Sequence, residues 1–216
     1  MEILKNILEI LYLLSGPALA IAAFYGLKQV RIAAGQIEET KKARVLTSKR
    51  EAYTVAGEQC KYYVKTIIPL LNQIDKIIDD KNIEYFEKSE VTIKGNEIKV
   101  KPYTKDNALD KVFEECLEDV TTVLNYLEGF SVFFTAGIAA DNVGFNTLGR
   151  TYVESVKQFL PIILSLGDDG SYEQIKTLFI TWNSRIEKEA LLKEKDQVEE
   201  KIKKQRTITI DSIGTK

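Results

Sequence analysis

Ile10 to Leu27 reads ILYLLSGPALAIAAFYGL, and how this stretch is read decides the fold. None of its residues is charged. As a helix rising about 1.5 Å per residue it covers roughly 27 Å, close to the hydrocarbon thickness of a bilayer. Leu8 and Val30 extend the apolar reach on either side. A single transmembrane helix is therefore expected, with residues 1–30 as a membrane anchor. Three other readings fit less well. Ala18-Leu19-Ala20 imitates a signal-peptide cleavage site, but Glu2, Lys5 and Glu9 are no basic leader, and apolar residues run on past Ala20. A buried core helix competes because the run is short for a span. A surface-lying amphipathic helix would need a polar face, which is lacking. Gly16-Pro17 predicts a kink, with Ser15 at hand for the carbonyl that the proline leaves unbonded.

Charge sets the expected orientation. One lysine, Lys5, precedes the run, and Lys28, Arg31, Lys41, Lys42, Arg44, Lys49 and Arg50 follow it. Basic residues stay on the cytoplasmic side, so the N-terminus is expected outside and the remainder in the cytosol, below the inner membrane. Residues 31–51 read as a basic juxtamembrane helix. Contact of its basic residues with anionic headgroups is the functional alternative to simple solvation. Cys60 and Cys116 are the only cysteines and lie far apart, which is no disulfide framework, so they read as reduced structural thiols.

The whole chain bounds the chemistry further. Of 216 residues, 29% are charged and the net charge is −2, which argues against a general nucleic-acid binder. There is no histidine, so the commonest general base and the commonest metal ligand are both missing. Beyond the anchor, enough chain remains for one domain with its own core, expected over residues 52–186.

That body reads as all-α with one hairpin. Cys60, Val64, Ile67, Ile68, Leu71, Ile74 and Ile78 recur at helical spacing, with Pro69 expected to kink or break the helix after Ile68. Residues 91–100, VTIKGNEIKV, alternate as two strands around Gly95-Asn96, pairing Ile93 with Ile98 and Lys94 with Glu97. Its apolar face should rest on helices. The pattern from Asn107 to Ala140 predicts one long helix through Leu117 and Leu127, with Asp106 or Asn107 as its cap; the charge-free stretch Gly129–Ala140 is too short to cross a membrane. Asp141–Asn146 is expected to turn the chain, ahead of a helix over Thr147–Leu166 with a kink at Pro161. Ser171 and Gln174 form a capping-box pattern for a last helix facing inward through Tyr172, Ile175, Phe179, Trp182 and Ile186. Residues 187–216 read as a charged helix, laced by Glu189–Lys193, Glu199–Lys203 and Glu200–Lys204, with a loose tail from Thr207.

Leu124-Asn125-Tyr126-Leu127-Glu128, Gly137-Ile138-Ala139-Ala140-Asp141 and the stretch Tyr172 to Trp182 resemble an uncharacterised bacterial family, domain of unknown function 4760. The resemblance runs from about Ile10 to Trp182; the hairpin is not part of it. It implies a membrane-tethered helical cytosolic protein of a bacterial accessory or antiviral locus, and it carries over no catalytic residue.

Few residues combine into chemistry. Gly144 to Thr151, GFNTLGRT, imitates a phosphate-binding loop, but Arg150 stands where lysine belongs and no strand precedes it. Asp110, Glu114 and Glu118, with Glu115 and Asp119, read as a solvated helix face rather than a dimetal site, which would need histidine partners. A cleft gathering Asp141, Arg150, Asp168 and Asp169 would favour a histidine-free, magnesium-dependent enzyme acting on a nucleotide or lipid headgroup. The reading preferred from the residues is a module for protein–protein interaction or self-assembly at the membrane, without cofactor or nucleic acid.

Overall fold

A computed structural model describes residues 1–95, 97–105, 107–166 and 170–205. The chain divides into two units, Met1–Glu51 and Ala52–Lys216.

The first unit is helix throughout. Helix α1 (Glu2–Tyr62) contains all of it except Met1, and every side chain described there is exposed. Its apolar window is long and apolar enough to cross a membrane, and none of that window is buried. Pro17 lies inside the helix, which continues through it. Proline removes the amide that would bond to Leu13, yet the Ser15 hydroxyl donates to Tyr12 at 2.7 Å, one residue short of the carbonyl expected to need it.

The second unit is a helical bundle with one hairpin. The last strip of α1 brings Ala56 and Cys60 into the core. A π turn at Tyr63–Ile67 follows, and then α2 (Ile68–Lys81), with Pro69 in its first turn. Pro69 is expected to kink or break the helix after Ile68. Instead the hydrogen-bond register changes ahead of it, where a wide turn takes up the mismatch, and proline sits where its missing N–H costs least. Short α3 (Tyr85–Lys88), not foreseen from the sequence, buries Tyr85 and Phe86.

Strands β1 (Glu90–Lys94) and β2 (Glu97–Lys101) pair antiparallel, Ile93 facing Ile98 and Lys94 facing Glu97, in the expected register. Val91, Ile93, Ile98 and Val100 pack on the core. The Ser89 hydroxyl closes the base, accepting from Tyr103 N–H at 3.0 Å and donating to the Tyr85 carbonyl at 2.6 Å.

The single helix expected over Asn107–Ala140 is two. Helix α4 (Ala108–Glu115) ends at Cys116, whose φ of −146° leaves the helical region, and α5 (Leu117–Thr135) starts beyond it. The break lets Val112 and Cys116 on one side, and Val120 and Val123 on the other, all reach the core. Asn107 precedes α4 in a left-handed conformation without a side-chain cap bond; Asp106 lies outside the described residues. Helix α5 stops at Thr135 rather than Ala140. Gly137, at φ +69°, donates to Phe134, and Ile138 N–H reaches Phe133, the Schellman pattern that a left-handed glycine permits.

Helix α6 (Asp141–Leu166) begins where a turn was expected and runs through Pro161. Helix α7 (Glu173–Lys204) packs against α5 and α6. Leu127, Phe130, Tyr152, Phe159, Phe179 and Trp182 form the centre. The Trp182 ring meets Tyr152 at 5.1 Å and Phe134 at 5.4 Å, both edge-on.

Candidate functional site

The basic residues after the apolar run all lie on exposed faces of α1. Along the helix axis, Lys41 lies roughly 21 Å and Arg50 roughly 35 Å beyond Leu27. The screening length at physiological salt is about 8 Å. In a helix upright in a bilayer, headgroup contact therefore falls to Lys28 and Arg31. Lys42 is already paired with Glu38 at 2.8 Å.

The alternative site does not come together among the described residues. Asp141 opens α6, where its carboxylate also favours the helix N-terminus. Its Oδ1 accepts the Trp182 indole N–H at 2.8 Å, and its Oδ2 pairs with Arg185. The Arg185 guanidinium in turn lies 5.3 Å from the centre of the Phe145 ring. Asp141 thus ties α6 to α7. Arg150 faces Glu189 at 3.7 Å, an exposed ion pair of little energetic weight. Asp168 and Asp169 lie outside the described residues.

The phosphate-loop lookalike is not a loop. Gly144 to Thr151 is continuous helix, so its amides bond within α6 and cannot cradle an anion. The glycines have packing roles: a Cβ on Gly144 would collide with the Phe134 ring, and one on Gly149 would lie 2.7 Å from Phe145 Cδ2. Arg150, Glu189, Asn146 and Thr151 line a polar groove of about 310 Å³ beside it. A second groove, about 220 Å³ and mostly apolar, runs between Gln59 and Tyr62 on one side and Tyr126, Gly129 and Phe133 on the other.

The carboxylate face is split by the break at Cys116. Glu115 pairs with Lys81 at 2.7 Å, and Asp119 accepts from the Gln73 amide at 3.3 Å. Among the described residues no group of acidic or cysteine side chains could hold a metal ion. Cys60 and Cys116 are buried and unpaired. Burial raises both thiols, Cys116 to about 11 with help from Asp119 and Glu115, so neither is poised as a nucleophile.

Two polar features escaped the sequence reading. Glu128 reaches from α5 to the start of α7, its two carboxylate oxygens accepting Gln174 N–H at 3.1 Å and Ile175 N–H at 2.9 Å. It takes the role expected of the capping box at Ser171 and Gln174, while the Gln174 side chain accepts from Thr135 at 2.7 Å. No sequence signal marks a cap supplied from another helix. The second feature is a buried hydroxyl pair. Ser131 donates to Leu127 at 2.6 Å and lies 2.7 Å from the Tyr152 hydroxyl, which also reaches the Ile175 carbonyl at 3.3 Å. Nearby, the buried Tyr63 hydroxyl has no hydrogen-bond partner among the described residues, and the Ser155 hydroxyl donates instead to Thr151. Burial is the larger influence and pushes Tyr63 up to about 12, against the lowering effect of the neighbouring Ser155 hydroxyl.

No protein-family model, curated protein or solved structure matches the chain.

Proposed function

We propose that this chain is a single-pass membrane protein whose cytosolic helical body acts in protein–protein interaction or assembly at the inner membrane. The observation that carries this reading is Ile10–Leu27, a charge-free helical stretch whose described side chains are all exposed. Nothing polar in it could form a site, so its contribution is tethering, which raises the local concentration of the body near membrane partners. Orientation follows from Lys28, Arg31, Lys41, Lys42 and Arg44, which lie close enough to the span to count, and places the N-terminus outside. The enzymatic alternative has less support, because Asp141 is held by Trp182 and Arg185.

Alkaline carbonate washing of membranes carrying the full chain tests the tether. The protein should stay in the pellet, with a reporter fused after Lys216 active only on the cytosolic side. Release by the wash would overturn the anchor, and a reporter active outside would overturn the orientation. A chain truncated to start at Arg44 should be soluble, helical by circular dichroism and cooperative in melting.

A further inference from the structure

The distal half of α7 carries an apolar seam that its own bundle does not use. Leu191, Val198 and Ile202 are 65%, 52% and 63% exposed. Together with Lys195 they recur at four, three and four residues, the spacing of a two-helix seam. At about 100° per residue, this seam is centred roughly 160° around the helix from the core stripe Ile175, Phe179, Trp182 and Ile186. It is therefore no continuation of the buried face. It points the opposite way, and every residue from 187 to 205 is exposed.

We propose that this seam pairs antiparallel with the same seam of a second copy of the chain. Charge selects both the partner and the direction. Residues 187–200 hold six acidic and three basic side chains, and Lys201, Lys203 and Lys204 follow, so the helix is negative along its middle and positive at its end. Two copies side by side in the same direction would set Lys195 against Lys195 and Glu194 against Glu199 across the seam, like against like. Reversed, Leu191 meets Ile202 of the second copy, and Lys195 meets Val198. Glu194 then flanks Lys201 of the second copy, twice by symmetry. Lys195 suits a seam edge because its ammonium is already drawn to Glu199 at 3.6 Å, leaving the methylene stem over the apolar side chains. A seam this short is marginal in dilute solution. The inference thus leans on the tethered reading above for the local concentration that makes pairing effective.

Cysteine cross-linking of the full chain in membranes tests it. Leu191→Cys and Ile202→Cys, co-expressed with different tags and treated with a thiol oxidant, should give a mixed dimer, and each alone should give almost none. Glu194→Lys, introduced into both chains, should abolish the mixed dimer, and Glu194→Lys with Lys201→Glu should restore it. A merely structural role for Glu194 would not be rescued this way. Efficient cross-linking of Leu191→Cys to itself, a yield indifferent to Glu194→Lys, or no cross-link at all would each overturn the proposal. A carbonate wash of the same membranes separates the two readings: a chain that stays pelleted but never cross-links defeats the self-pairing alone. A chain that washes out defeats the tether and, because so short a seam is marginal in dilute solution, overturns the self-pairing with it.

Discussion

Ile10–Leu27 and Gly129–Ala140 are both charge-free apolar runs, and they meet opposite fates. The first is exposed wherever its side chains are described. The second sends Phe130 and Phe134 into the aromatic centre and buries Ser131 with its hydroxyl bonded. Hydropathy alone does not separate them. Length does, because twelve residues of helix cover only about 18 Å. So does the company each keeps: the second run contains hydroxyls that find partners on neighbouring helices, whereas the side chains described in the first are all exposed. An apolar segment becomes core when other elements in the chain present matching faces, and otherwise it asks for lipid or another molecule.

Substitutions can break or sharpen that contrast. Trp182→Ala should lower the unfolding free energy of the body by about 3–5 kcal/mol, as expected when a fully buried indole leaves a cavity and Asp141 loses a donor. Leu19→Ala, 71% exposed, should leave the same melting transition unmoved. Equal effects would erase the distinction between the two regions. Glu128→Ala should cost about 1–2 kcal/mol in denaturant titration, because two amides at the start of α7 lose their acceptor. No change would mean that water replaces the carboxylate freely.

Tyr63→Phe should be neutral or stabilising by up to about 1 kcal/mol at pH 7, since it removes a buried hydroxyl without a partner. The same variant sharpens the alkaline behaviour. The phenol titrates near 10 when unfolded and is raised to about 12 when folded. Its contribution is therefore complete below pH 10 and is lost as pH rises towards 12. Tyr152 is raised well above its ordinary value by burial and shifts the balance in the same direction. Melting temperature followed from pH 9 to 12 should fall less steeply in Tyr63→Phe than in the parent; identical slopes would place the alkaline loss elsewhere. Arg150→Ala should do least, within about 0.5 kcal/mol in stability, because its ion pair is exposed. It should also leave any response to ATP or GTP unchanged, and a nucleotide-dependent rise in melting temperature that disappears in this variant would revive the phosphate-loop reading.

Periodicity made most of the core legible. Leu148, Tyr152, Val156, Phe159 and Ile163 are buried as their spacing implies, and the hairpin register followed from alternation around its turn. The breaks were less readable. Nothing about Cys116 announces that a helix ends there, because an apolar stripe on both sides hides the change of axis. Gly137, not the apolar residues after it, stops α5, and the glycines of the phosphate-loop imitation lie in mid-helix for reasons of packing. Charged side chains were placed correctly as exposed, and Glu200 pairs with Lys204 as spacing suggested, but Glu189 faces Arg150 and Glu199 faces Lys195 rather than Lys193 and Lys203. Such choices depend on neighbouring helices and on rotamers, which spacing along one helix cannot encode. Of the weak alternative site, Asp141 is a tie between helices α6 and α7 through Trp182 and Arg185.

The hydroxyl chain through Ser131 and Tyr152 to Ile175 has a consequence for uniqueness. Greasy helices can slide along one another by a turn and still bury similar areas, so many near-equivalent packings compete. Here one oxygen on α5, one on α6 and one backbone carbonyl on α7 coincide at a single point. Moving any one helix by a turn would strand at least one of these groups in a dry interior, which is costly. Three helices are thereby indexed against each other as if by a common pin, and mispacked arrangements are penalised where apolar contacts alone would barely tell them apart.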